Sequence, residues 1–343
     1  MAIAVEQDVL RAREPSRARY PDSEGYAERD GVRLYWERYG EGHPTLLFLP
    51  PGPITHSRAW KAQIPYFARH ARAVAFDPRG GGRSSRPRGV AEFATPEMAK
   101  DALAVMDASD TEQAVVVGIS AGARHALWLI ANHPDRFAGA ALVAPFLPLT
   151  RWQPIVTSRR TYLEPRARRR IARMLLMELI GLPRNALSAE WRRFNRCVDL
   201  REGITMFGSE AILRDQRAYI EWFVRTIAMP DPHSTRLIED AVEWGMEAEA
   251  QALVDSHVAL DIADDAILTD RTEILEYCSR VRCPVLVIQG ELDLACPPQW
   301  GRELARATGA RYIEVPGTGH LVGGRKPVAV NRALREFAES LPA

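Results

Sequence analysis

Val115-Val116-Val117-Gly118-Ile119-Ser120-Ala121-Gly122-Ala123 is a short apolar run that breaks into Gly-x-Ser-x-Gly and leaves as a helical pattern. An apolar run this short, bounded by glycine, reads as a strand buried on both faces. The helical spacing continues through Ala121–Ala131 and stops near His133-Pro134. A serine at the apex of a strand–turn–helix junction has the setting of an activated nucleophile. Gly118 and Gly122 carry no Cβ, so strand and helix can close around the turn. Ser120 would then project its hydroxyl above the sheet, with neighbouring amides facing the same space.

Outward from this junction, the same punctuation recurs. Val32–Arg38, Thr45–Leu49, Ala73–Phe76, Ala114–Val117, Ala138–Val143, Val285–Ile288 and Ala310–Val315 read as strands. Ala59–Arg69, Glu97–Ser109, Ala121–Ala131, Pro298–Thr308 and Pro327–Leu341 read as helices, with Thr95 as an N-cap before Pro96. Strand and helix alternate, which argues for an α/β fold with a mainly parallel, doubly wound sheet. The alternation stops between about Pro148 and Arg280, where helical segments rich in Arg, Glu, Trp, Leu and Met take over. The expected organisation is an N-terminal arm over 1–25, a core over 26–147 and 281–343, and a helical cap over 148–280.

Composition sets limits on partners. The 343 residues are 46% apolar and 26% charged, with a net charge of +1. That balance excludes a disordered chain and gives no reason to expect nucleic acid. No run approaches the ~20 apolar residues of a membrane span. Cys197, Cys278, Cys283 and Cys296 show no CxxC spacing, and Met1–Tyr20 lacks a secretory pattern. A cytoplasmic protein with reduced thiols is expected. There is no His-Glu-x-x-His, no acidic calcium loop, no Cys/His cluster and no Gly-x-Gly-x-x-Gly, so neither a metal nor another cofactor is expected.

A serine hydroxyl needs a base, and the base needs an orienting acid. Of eight histidines, only His320 follows the last long strands, in the loop Pro316-Gly317-Thr318-Gly319-His320. The acid should follow the preceding strand, where Gln289-Gly290-Glu291-Leu292-Asp293 stands. Asp293 is the choice and Glu291 the reserve, more naturally a solvated loop charge. The oxyanion of an acyl-transfer intermediate needs two amides. Ala121, next after Ser120, supplies one. In Pro50-Pro51-Gly52-Pro53, proline has no N–H, so Gly52 is the first donor available and Ile54 the next.

Together these residues resemble the α/β-hydrolase family over about Gly31–Pro148 and Arg280–Leu341. The matching motifs are Gly118–Gly122, Gly290–Asp293 and Gly319-His320, with Asp77-Pro78-Arg79-Gly80-Gly81-Gly82-Arg83-Ser84 resembling a structural turn of the family. The resemblance implies an α/β-hydrolase fold with a lid at the insertion, a Ser120–Asp293–His320 triad and an oxyanion hole. Pro50-Pro51 departs from the family's frequent His-Gly. Ser120 disfavours relatives with aspartate at the elbow, such as epoxide hydrolases and dehalogenases.

The insertion carries Trp152, Trp191, Phe194, Phe207, Trp222, Phe223 and Trp244. Most should pack the cap's own core; Ile54, Trp222 and Phe223 are the candidates for substrate contact. The basic run Glu164–Arg173 reads as a solvated face, or more sharply as a dock for an anionic acyl carrier. Arg83, Arg86 and Arg88 invite the same two readings. His125 should pack behind the elbow. The leading expectation is a hydrolase of a hydrophobic small-molecule ester, thioester or lactone. A carbon–carbon bond hydrolase or cofactor-free perhydrolase would use the same triad, and a non-catalytic ligand-binding protein would keep only the fold.

Overall fold

The computed structural model describes residues 18–147, 209–229, 233–260, 262–263, 266–267, 271–293 and 295–341. Arm residues 1–17, Cys197, the basic run, Trp152, Trp191, Phe194 and Phe207 lie outside them. Strands β1 (Ser23–Arg29), β2 (Val32–Tyr39), β3 (Thr45–Leu49), β4 (Arg72–Phe76), β5 (Ala114–Ile119) and β6 (Phe137–Val143) precede the insertion. The two-residue strands β7 (Ile262–Ala263) and β8 (Ala266–Ile267) pair within it, and β9 (Val285–Gly290) and β10 (Arg311–Val315) follow. The main sheet has eight strands in the order β1-β2-β4-β3-β5-β6-β9-β10. β1–β2 and β2–β4 are antiparallel, and every other pairing is parallel.

The central strands are apolar because both faces are covered. Every residue of β3, β5 and β9 is buried. One face packs Leu47, Val74, Val116 and Val287 against the helices Thr95–Ala108 and Ala121–Asn132. The other packs Leu46, Phe48, Val117 and Ile288 against Trp60, Phe67 and the C-terminal helix Pro327–Glu339. Each such side chain contributes about 1.5–3 kcal/mol by leaving water.

The sheet is therefore the parallel, two-faced structure expected, with three local differences. β1 was not anticipated: Ser23–Arg29 is mostly polar and alternates exposed residues with part-buried ones and the buried Ala27 at the sheet's edge. Ala59–Arg69 is not one helix but a 3₁₀ turn, Ser57–Trp60, and a single α-turn, Ile64–Phe67. Pro65 sits at the start of that second turn, where its missing N–H costs nothing, and Trp60 Nε1 is drawn aside to the Leu49 carbonyl at 3.1 Å. Thr95 is the first residue of its helix rather than the cap, and its buried hydroxyl makes no cap bond.

Between β6 and β9 the described chain is mainly helical: Ser209–Arg214, Gln216–Phe223, a π-helical turn Val224–Ala228, Thr235–Met246, Ala250–Ala259 and Arg271–Arg280. Tyr219, Ile220, Trp222, Val242, Trp244 and Leu253 form its own apolar cluster. Ile54, Ala295 and Leu321, from three loops of the core, join that cluster. The insertion is thus seated over the loops at the strand ends.

Candidate active site

Ser120 sits between β5 and the helix Ala121–Asn132 with φ 56 and ψ −121. A non-glycine residue in that region carries about 1–3 kcal/mol of strain, which its surroundings must hold in place. They do so through backbone bonds: Ser120 N donates to Val143 O at 2.9 Å, and Phe146 N donates to Ser120 O at 3.0 Å. The flanking glycines are required by contact. A Cβ on Gly118 would lie 2.3 Å from Gly122 O, and one on Gly122 would lie 2.6 Å from Pro50 O. The turn carrying Ser120 is therefore pressed directly against the loop after β3.

Asp293 and His320 come from neighbouring loops, as the order of motifs predicts. The loops touch through backbone: Leu292 N donates to Thr318 O at 2.8 Å, and a Cβ on Gly290 would lie 2.2 Å from Gly319 O. His320 Nδ1 lies 2.9 Å from Asp293 Oδ2, with both side chains buried. Asp293 accepts three further hydrogen bonds, from Gln289 Nε2 (3.0 Å), Ala295 N (2.9 Å) and Cys296 N (2.8 Å). The carboxylate is thus fixed facing one edge of the imidazole. Glu291 is exposed and accepts from Gly317 N at 2.8 Å, so it ties the two loops together from outside.

Cys296 joins these groups. It is fully buried, the Ser120 hydroxyl is its hydrogen-bond partner, and its sulfur lies within 4.8 Å of a His320 ring nitrogen and an Asp293 oxygen. Ser120, His320 and Asp293 thereby converge around one thiol. Burial, then the Asp293 charge, push that thiol well above its usual pKa despite the Ser120 contact. Asp293, Cys296 and His320 are also the one group of metal-ligand types found close together among the described residues. The donor set fits a metal poorly. A carboxylate has about four acceptor positions, and Asp293 already takes four hydrogen bonds; a thiol kept protonated is not the thiolate a metal binds.

Gly52 lies in the loop facing the elbow with φ 137, and Thr55 N donates to its carbonyl at 3.3 Å. Ala121 opens the helix after Ser120, so its amide is one that no intrahelical carbonyl can satisfy. Ile54 is buried against the cap cluster. Trp222 is buried and Phe223 part-buried in the same cluster, and their described ring contacts are with Tyr219. His125 is buried behind the elbow; burial, and then the nearby Arg124 charge, pull its pKa down to about 3, so it is neutral. Arg86 and Arg88 have a use that neither reading of them anticipated. Arg86 donates to Glu247 O at 2.8 Å and Arg88 pairs with Glu249 at 2.9 Å, so both tie the described part of the insertion to the turn after β4. Arg83 donates to the Tyr35 hydroxyl at 2.9 Å.

The sequence reading missed Cys296 and Gln289 as members of the site's surroundings, and it placed His56 near the site without its partners. Cys296 had a signal: it stands three residues after Asp293, where an Asp side chain accepts from the amides that follow it.

A profile described as "alpha/beta hydrolase fold" matches residues 44–327. The chain belongs to that family. It is 27% identical over 315 residues to the Mycobacterium tuberculosis protein BpoC, provisionally named a non-heme bromoperoxidase, covering 91% of this chain and 100% of that one. It is also 27% identical over 325 residues to rhodomycin D methylesterase DauP of Streptomyces sp., covering 89% and 93%. Among solved structures, an esterase from Exiguobacterium antarcticum superposes with a TM-score of 0.68 at 17% identity, over 93% of this chain and 100% of that one. The chain is an α/β-hydrolase enzyme, related to hydrolases that act on small molecules. No helix of the described residues is long and apolar enough to cross a membrane.

Proposed function

We propose that this α/β-hydrolase cleaves an ester, thioester or lactone of a hydrophobic small molecule through an acyl-enzyme on Ser120. The observation that carries the reading is the convergence of a strained Ser120 with the His320–Asp293 pair around Cys296. His320 takes the Ser120 proton as the hydroxyl attacks the carbonyl, and hands it to the leaving group as the tetrahedral intermediate collapses. Asp293 fixes the imidazole tautomer and stabilises the imidazolium. The amides of Ala121 and Gly52 receive the oxyanion. Water then repeats the sequence on the acyl-enzyme. The insertion over 148–280 acts as a cap supplying apolar walls and excluding bulk water. The relative named a methylesterase supports attack on an ester carbonyl.

Hydrolysis of p-nitrophenyl esters of graded chain length, measured beside dicarbonyl substrates, tests this. Ester turnover that disappears in Ser120→Ala is expected. Turnover of the dicarbonyl substrates alone would replace ester cleavage with carbon–carbon cleavage.

A further inference from the structure

His56 closes the loop that contains Gly52, and its imidazole is buried between the core and the cap. Its Nδ1 lies 3.4 Å from Asp77 Oδ1, at the turn after β4. Its Nε2 lies 3.3 Å from Glu247 Oε2, at the end of the cap helix Thr235–Met246. The ring also meets the edge of Trp244 from that helix, with centroids 6.2 Å apart. A second ion pair runs beside it: Lys61 Nζ lies 2.6 Å from Asp240 Oδ2 and stands over Trp244. On the core side, Asp77 is fixed by Ser57 N, Ser57 Oγ and Arg83 N. The loop itself is closed by the Gly52–Thr55 bridge, one residue before His56.

We infer that the His56 imidazolium is a positioning group that makes seating of the cap and shaping of the Gly52 oxyanion loop a single event. The inference rests on the proposed role of Gly52 in acyl transfer. Two carboxylates on separate bodies share one cation, so neither contact is made well without the other. The cation comes from the residue that ends the loop, and displacement of Glu247 therefore reaches Gly52 through four residues of backbone.

The charged groups around the ring agree with a protonated state. Asp77 faces it from the core and Glu247 from the cap. Arg58, on its own 3₁₀ turn, is occupied by Glu37 at 3.0 Å, and Lys61 by Asp240. Burial opposes the charge on His56, but Asp77 and then Glu247 outweigh it and push the pKa up to about 9. In the structure the Arg58 amide also points at Nδ1, donating at 3.5 Å beside the Asp77 contact at 3.4 Å; only a neutral ring accepts that bond, so it takes over from Asp77 above that pH. The folded pKa exceeds the ordinary value of 6.5, so the stabilisation is complete below 6.5 and is lost as pH rises through about 9.

The test follows amide hydrogen–deuterium exchange of residues 50–61, corrected for intrinsic pH dependence, together with p-nitrophenyl acetate kinetics, from pH 7 to 10.5. Native protein is compared with Glu247→Gln and Glu247→Asp, at a side chain 40% exposed. In native protein, exchange of 50–61 should rise and kcat should fall as pH passes about 9, with KM changing less. Glu247→Gln should move both transitions down by about one pH unit, the scale of one neighbouring charge. It should also lower kcat at pH 8 by about tenfold, part of the about 10²–10³ carried by an oxyanion donor. Glu247→Asp should restore part of both. Identical exchange in all three proteins at every pH would overturn the inference, and so would exchange that shifts while kcat does not. Absence of ester turnover at any pH would instead remove the acyl-transfer reading, leaving exchange alone to decide whether His56 joins loop to cap.

Discussion

The two walls of the site are held together in different ways. On the core wall, Ser120, Asp293 and His320 hang on backbone: Ser120 by Val143 O, Asp293 by the amides of Ala295 and Cys296, and the two loops by Leu292 N on Thr318 O. Their supports are buried and close-packed. On the cap wall the insertion adds charges that reach over the core: Lys61–Asp240, Arg88–Glu249, His56–Glu247 and the Gly89 amide on Asp255. Backbone carbonyls and packed aliphatics have one good arrangement, whereas an exposed pair such as Arg88–Glu249 is weak singly. For the acyl transfer proposed here, a fixed wall suits proton transfer over set distances.

That contrast can be broken from the core side first. Ser120→Ala should lower kcat by about 10⁴–10⁶ with the fold retained, His320→Ala nearly as much and Asp293→Asn somewhat less; ester turnover with circular dichroism as a folding control measures this. A silent Asp293→Asn beside an inactive Glu291→Gln would reassign the acid. Leu47→Ala, in a fully buried strand between both apolar layers, should cost about 2–5 kcal/mol in denaturant unfolding. Gly52→Ala meets open space but a φ of 137, so it should impose about 1–3 kcal/mol of strain and lower kcat/KM about tenfold or more. Proline cannot adopt that φ, so alanine is the informative change. Arg88→Ala removes a pair whose arginine is 76% exposed; it should shift stability by no more than about 1 kcal/mol and leave kcat unaltered. A large loss there would mean that the cap is held as rigidly as the core.

The same contrast explains what could be read from the sequence. The elbow is contained in Gly118–Gly122, and its glycines are needed by contacts within a few residues of Ser120 or with the next strand. The Gly-x-x-Asp loop follows a fully buried strand, and the Gly-His loop follows the part-buried edge strand Arg311–Val315 through a run of glycines, so their positions were legible too. β1 was not, because Ser23–Arg29 lies at a sheet edge and needs no apolar stripe. The contacts of the cap were also hidden: Lys61 and Asp240 are 179 residues apart, and Arg86 and Glu247 are 161 apart. Contacts at such separations leave no periodicity. His56 could be placed near the site, but its partners could not, because Asp77 and Glu247 come from elsewhere in the chain.

The most direct test is labelling with a fluorophosphonate probe, followed by mass spectrometry of the peptides. One adduct is expected, on Ser120, lost in Ser120→Ala and strongly slowed in His320→Ala. Native, folded protein that stays unlabelled while a known serine hydrolase reacts beside it, or that carries the adduct on another residue, would contradict it.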